Sequence, residues 1–151
     1  MGEQELFNGL IATYRDLNLK VRPLPEERLS LRSGRESVRR IIVDMRDDEL
    51  RFSQALKDRL GGASMIDVLA HRGEDVELEI PSPDDTTVEV LSQFGTARES
   101  TLAMLRGMPP ESWDESGPGG LTIRGASEGL LANDGRHMEK IVRLLGSPTA
   151  N

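Results

Sequence analysis

The chain has 151 residues, with 19 Lys plus Arg against 26 Asp plus Glu, a formal net charge of −7, two histidines and no cysteine. A domain of this length buries roughly 68–70% of its unfolded surface, so neither disulfide nor structural metal is needed, and residues 1–146 are read as one domain with a tail at 147–151. The acidic balance, with basic residues that look scattered along the chain, excludes a nucleic-acid partner, and zero cysteines exclude a thiolate nucleophile or thiolate metal site.

The opening MGEQELFNGL has no basic stretch and no long apolar run. Leu6 stands where a myristoylation signal carries Ser or Thr. No targeting segment or membrane partner is expected, and the location is read as cytoplasmic. The first helix is predicted over Glu3 to Leu19, where Leu6, Phe7, Leu10, Ile11, Tyr14 and Leu17 recur at helical spacing. Pro23 and Pro25 then break the chain, because proline lacks an amide hydrogen and disfavours the α conformation before it.

The second helix is predicted over Arg35 to Leu60. Val38, Ile41, Ile42, Met45, Phe52 and Leu56 form its stripe, and Gly61-Gly62 forms its stop. Ser64 to Arg72 is read as one or two helical turns, in which His71 receives no function. Val76, Leu78 and Ile80 alternate with acids and are read as an extended connection laid over a helical core.

A third helix is expected from Asp84 or Asp85 to Arg106, with the seam Val88, Leu91, Gly95, Arg98, Leu102 and Leu105. Its 3,4,3,4,3 spacing marks lengthwise packing in a bundle. Pro109-Pro110 and the Gly117 to Gly120 loop separate it from a fourth helix over Ile123 to Leu145, whose seam is Leu130, Asp134, His137, Ile141 and Leu144. Gly125 and Gly129 suggest a close helix approach. Met45, Met104, Met108 and Met138 read as gap fillers. The fold class is therefore all-α, an up-down-type four-helix bundle with a short extra helix and an extended connection between the second and third long helices.

Polar residues interrupt the apolar seams. Arg98 lies on the third helix's seam, Asp134 and His137 on the fourth's, and Glu49 close to the second's stripe. A lone buried charge costs several kcal/mol, roughly, so these groups must pair or line a pocket. Glu49, Arg98 and Asp134 are expected to form a polar core, with Glu49 and Arg98 meeting as an ion pair. No glycine-rich phosphate loop, Gly-x-Gly-x-x-Gly or Gly-x-Ser-x-Gly occurs.

Two stretches, Ser37 to Glu49 and Thr122 to Ile141, resemble the DinB/YfiT-like four-helix bundles, whose relatives include thiol-dependent transferases and maleylpyruvate isomerases. Arg98 and Trp113 add to the likeness. Members with a complete motif hold a divalent metal with three histidines, one from the second helix and two, four residues apart, from the fourth. The resemblance places Asp44, Asn133 and His137 at those ligand positions, so two of the three histidines are replaced. A neutral amide is a poor transition-metal ligand. Asp48 or Asp134 offers a further oxygen.

The implied protein is a bundle with a degenerate metal site and no resident cofactor, non-catalytic or binding a small ligand. The alternative is a metal-dependent enzyme of the thiol-transferase or hydrolase type, holding Ni or Zn at low occupancy on the modified site. A homodimer is expected because Val43, Leu50 and Val90 lie off the inward stripes of their helices and need cover.

Overall fold

A computed structural model of the chain describes residues 1–61, 85–117 and 119–146. The expected turns at 64–72, with His71, and the extended run at 76–80 lie outside the described residues. Five α-helices are present among those described: α1 (Glu3–Val21), α2 (Glu26–Leu29), α3 (Val38–Leu60), α4 (Thr87–Gly107) and α5 (Ile123–Gly146), with a 3-10 turn over Pro110–Asp114. The all-α reading holds, and four helices are long. No described helix is long and apolar enough to cross a membrane.

Local chemistry sets the helix ends. α3 starts at Val38 rather than Arg35, because the Ser37 hydroxyl accepts from the Arg40 amide and caps the helix there. α4 starts at Thr87, behind a capping box in which Thr86 and Glu89 satisfy each other's amides. Sequence periodicity passed over α2. It is a single turn behind Pro25, too short to show a stripe.

The order of packing departs from a simple up-down ring. α1 packs on α4 and α5, and α3 packs on α4 and α5. The sequence neighbours α1 and α3, and α4 and α5, therefore lie across the bundle's diagonals. The core halves give the directions. Leu6 and Leu10 of α1 cluster with Phe52 and Leu56 of α3, Leu102 and Leu105 of α4, and Ile123 and Leu130 of α5. Leu17 and Val21 cluster instead with Ile41 and Ile42, Val90 and Leu91, and Ile141. α1 and α5 thus run one way and α3 and α4 the other, so the path is up-down-down-up.

Connection length is the physical reason. Short links force sequence neighbours side by side and antiparallel, but parallel α3 and α4 require the chain to return along the full helix. At 1.5 Å per residue α3 is about 35 Å long. Some ten extended residues span that distance at roughly 3.3–3.6 Å each, and residues 61–86 exceed it comfortably.

Two seam assignments change. Val90 is fully buried and Val88 half-buried, so α4 is rotated slightly from the expected seam, and Val90 needs no outside cover. Val43 packs against the core, while Leu50 is half-buried. Ile11, placed on the inner face of α1, is exposed. Gly95 serves a close approach: a Cβ there would overlap the Tyr14 ring, which lies on α4 beside Phe94. Gly129 has open space above it, and Gly125 meets only Thr122 and Leu121 of its own segment, so neither glycine mediates a helix crossing.

Glu26 fastens α2 to the start of α4. Its carboxylate accepts from the Thr87 amide, from the Thr87 hydroxyl at 2.6 Å and from Ser30 at 2.7 Å. Partial burial pushes this carboxyl up, but the Thr87 and Ser30 hydrogen bonds outweigh it and hold it below its ordinary 4.5. A depressed carboxyl stabilises the fold above its unfolded value and loses that contribution as pH falls through the folded one. Glu26→Gln should therefore lower the midpoint of urea unfolding at neutral pH by an amount that stays constant down to about pH 5 and shrinks below pH 4. A pH-independent difference would mean that the carboxylate charge is not what holds α2.

Candidate functional site

Between the two apolar core halves lies a polar layer to which every long helix contributes one side chain. Thr13 comes from α1, Glu49 from α3, Arg98 from α4 and Asp134 from α5, all buried. Arg98 is the hub. One terminal guanidinium nitrogen donates to Asp134 Oδ2 at 3.0 Å and to the Leu10 carbonyl at 2.8 Å. The other donates to Asp134 Oδ1 at 3.0 Å and to Glu49 Oε1 at 2.8 Å. Thr13 donates to Asp134 Oδ2 at 2.8 Å, and the Phe94 ring lies 5.0 Å from the guanidinium carbon.

Burial alone would lower the Arg98 pKa, but Glu49 and Asp134 more than compensate and hold it above its ordinary value. The cation is therefore permanent. Asp134 belongs to the pair expected from Glu49 and Arg98 and makes it a triad. Glu49 Oε2, Arg98 Nε and the Ser127 hydroxyl are buried without a hydrogen-bond partner among the described residues. A second buried cation, Arg46 on α3, escaped the sequence reading. It donates to Asp47 and, at 2.8 Å, to Gln93 on α4. Its only sequence signal is a place beside Met45 on the stripe.

The three positions given by the family resemblance do not converge. Asn133 and His137, four apart on α5, do meet: the Asn133 amide nitrogen lies 3.3 Å from His137 Nε2. That amide also donates to Asp48 Oδ2 at 3.1 Å, which itself lies 3.5 Å from the same imidazole nitrogen. Asp44 turns instead to Arg40, at 3.5 Å one turn earlier. Burial holds the Asp44 carboxyl above its ordinary range, with Asp48 and Asp47 adding to the rise, against the pull of Arg40 and His137.

This donor set does not fit a divalent metal. The second position turns its amide nitrogen, which has no lone pair to give a metal, toward the Asp48 carboxylate that accepts from it and toward the His137 ring, while its oxygen accepts from Arg136 at 3.3 Å. Among the described residues no three His, Asp or Glu side chains form a metal-binding group.

Two clefts flank the cluster on the α3 and α5 side. One, of about 320 Å³, is bordered by Asp48, Asn133, Gly125 and the open backbone of Gly129. The larger, of about 620 Å³, opens between α3, α5 and the segment that joins α2 to α3, with Asp44 and His137 in its wall and Ile41 and Val43 as its apolar part. Against protein-family models, curated proteins and solved structures the chain finds no match. The chemistry of these residues is therefore what the functional reading rests on.

Proposed function

We propose that the chain is a DinB/YfiT-like bundle whose metal position has become a hydrogen-bonded cluster of Asp48, Asn133 and His137, and that it binds a small molecule in the adjoining cleft without metal-assisted chemistry. The observation that carries this reading is the Asn133 amide nitrogen shared between Asp48 and His137. At that position a nitrogen ligand would need a lone pair, and an amide NH₂ has only hydrogens to offer. The cleft supports the binding half of the reading. Its volume falls in the roughly 300–1,000 Å³ range of small-molecule sites, with polar groups set around an apolar patch.

The case for a homodimer narrows to α3. Of the three residues that argued for it, Val90 is in the core, and Val43 and Leu50 are half-buried.

Elemental analysis of the purified chain tests the reading. Far less than one ion per chain is expected, and nickel or zinc at about a hundred micromolar should leave the melting temperature within a degree or so, because a ligand that does not bind the native state cannot stabilise it. One tightly held ion per chain, released by His137→Ala, would overturn the reading in favour of a metal-dependent transferase or hydrolase.

A further inference from the structure

The wall of the larger cleft is built from a short, well-fastened segment. Ser33 and Glu36 exchange backbone hydrogen bonds of 2.8 and 3.2 Å, closing a tight turn in which Gly34 takes a φ of 67°, a left-handed conformation that suits glycine. Glu36 reaches across to Lys140 of α5 at 3.3 Å, and Arg28 donates to the Leu145 carbonyl at 2.7 Å. The turn is thereby joined to α5 by one ion pair, and the α2 helix that precedes it by a hydrogen bond.

This segment gathers cations. Lining the cleft are Arg32, Arg35, Arg39, Arg40 and Lys140, against the carboxylates Glu36 and Asp44. The concentration occurs in a chain whose net charge is −7. Three of the five cations have acidic neighbours: Arg39 lies 3.8 Å from Glu26, Arg40 3.5 Å from Asp44 and Lys140 3.3 Å from Glu36. Arg32 and Arg35 have no carboxylate within ion-pairing distance among the described residues.

Like charges held together on a fixed turn repel one another, and that repulsion is relieved by a bound anion. The arrangement supplies what an anion needs besides charge. Guanidinium groups present forked donors that match carboxylate and phosphate oxygens. The Ser37 hydroxyl, whose oxygen accepts from the Arg40 amide, keeps its proton to donate. The first turn of α3, which carries no acid, adds its partial positive charge at the same edge. Val43, half-buried above the core residue Ile41, offers a surface for a carbon skeleton rather than for a bare ion.

We infer that this cleft binds a small organic dianion, a phosphomonoester or a dicarboxylate, whose two negative charges are taken by Arg32 and Arg35 while its carbon body lies on Val43. The inference rests on the cleft being the ligand site and names the class of ligand it takes.

Isothermal titration calorimetry of the metal-free protein at constant ionic strength tests it, with glycerol 3-phosphate, succinate, acetate and inorganic phosphate as separate probes. Glycerol 3-phosphate or succinate should bind at least about tenfold more tightly than acetate, a difference of about 1.4 kcal/mol, and whichever is tighter decides between phosphomonoester and dicarboxylate. The double change Arg32→Glu with Arg35→Glu should abolish that binding with helicity unchanged, since both side chains are exposed. Lys20→Glu with Lys57→Glu, an equal change of charge at exposed sites outside the cleft, should preserve it. Equal affinity for acetate and the dianions, binding of inorganic phosphate alone, or equal loss in both double variants would overturn the inference. A negative titration on protein shown to hold no metal refutes the ligand class alone, whereas a stoichiometric ion refutes the reading beneath it.

Discussion

Arg98→Met should destabilise the fold by roughly 3–5 kcal/mol, measured by urea unfolding at neutral pH. Among the described residues the guanidinium is the only cation in contact with two buried carboxylates, Glu49 and Asp134, and it also satisfies the Leu10 carbonyl. Removing it leaves two like charges and a carbonyl in the buried centre of the bundle. Such charges cost far more unpaired than paired.

The sequence alone suggests that adding Glu49→Leu would recover much of the loss. The structure changes that expectation. Asp134 binds both terminal nitrogens of Arg98, so the Glu49 and Arg98 double variant still strands a carboxylate with only the Thr13 hydroxyl beside it. Recovery should appear only in the triple variant with Asp134→Leu, because replacing a whole buried ionic group with apolar side chains is often neutral or stabilising. Additive losses across the single, double and triple variants would show that the three side chains do not act as one unit.

Trp113→Ala should cost a comparable amount, roughly 3–5 kcal/mol, at the opposite end of the molecule from the cationic cleft. The 3-10 turn over Pro110–Asp114 carries this indole into the core half formed by Leu105, Met108 and Ile123. Phe7 meets it edge-on at 5.8 Å between ring centres, and the Arg124 guanidinium lies 5.5 Å over its face. Arg124 is held there by two bonds to Asp114, at 2.7 and 3.0 Å. Alanine would leave a large void beneath that pair. Circular dichroism reads the loss of stability, and dianion binding by the still-folded variant should be unchanged. A small loss would mean that the turn collapses to refill the space.

The four long helices are legible in the sequence because each carries an apolar stripe bounded by prolines, glycines or capping residues. The polar layer is legible for a related reason. Charged residues on a seam must find one another, which singles out Glu49, Arg98 and Asp134 before any coordinates are known. Helix periodicity says nothing about which helix neighbours which. The up-down-down-up path was readable only from the length of the 61–86 connection, and the acids and prolines there drew attention to conformation instead of span.

The cleft shows a different limit. Its cations seem scattered when the whole chain is scanned, yet Arg32, Arg35, Arg39 and Arg40 fall within nine residues around one turn and one helix start. Counting charge by segment would have found four of the five. Lys140 joins them through the packing of α5 on α3, which only the fold supplies. Likewise, Asp44 matches a ligand position in the sequence pattern but is drawn to Arg40, while Asp48, one turn further along, faces His137.

Metal content after placing histidines at the two other positions that the family resemblance gives tests the account most directly. Asp44→His with Asn133→His removes the partner of Arg40, places one histidine on α3 in the wall of the cleft that His137 also lines, and sets a pair four residues apart on α5, where both imidazoles can reach one ion. Elemental analysis after zinc loading and desalting should give close to one zinc per chain for this double variant and far less than one for the unaltered chain. Equal zinc in the two proteins, whether one ion or none, would contradict the claim that a metal position here has become a hydrogen-bonded cluster.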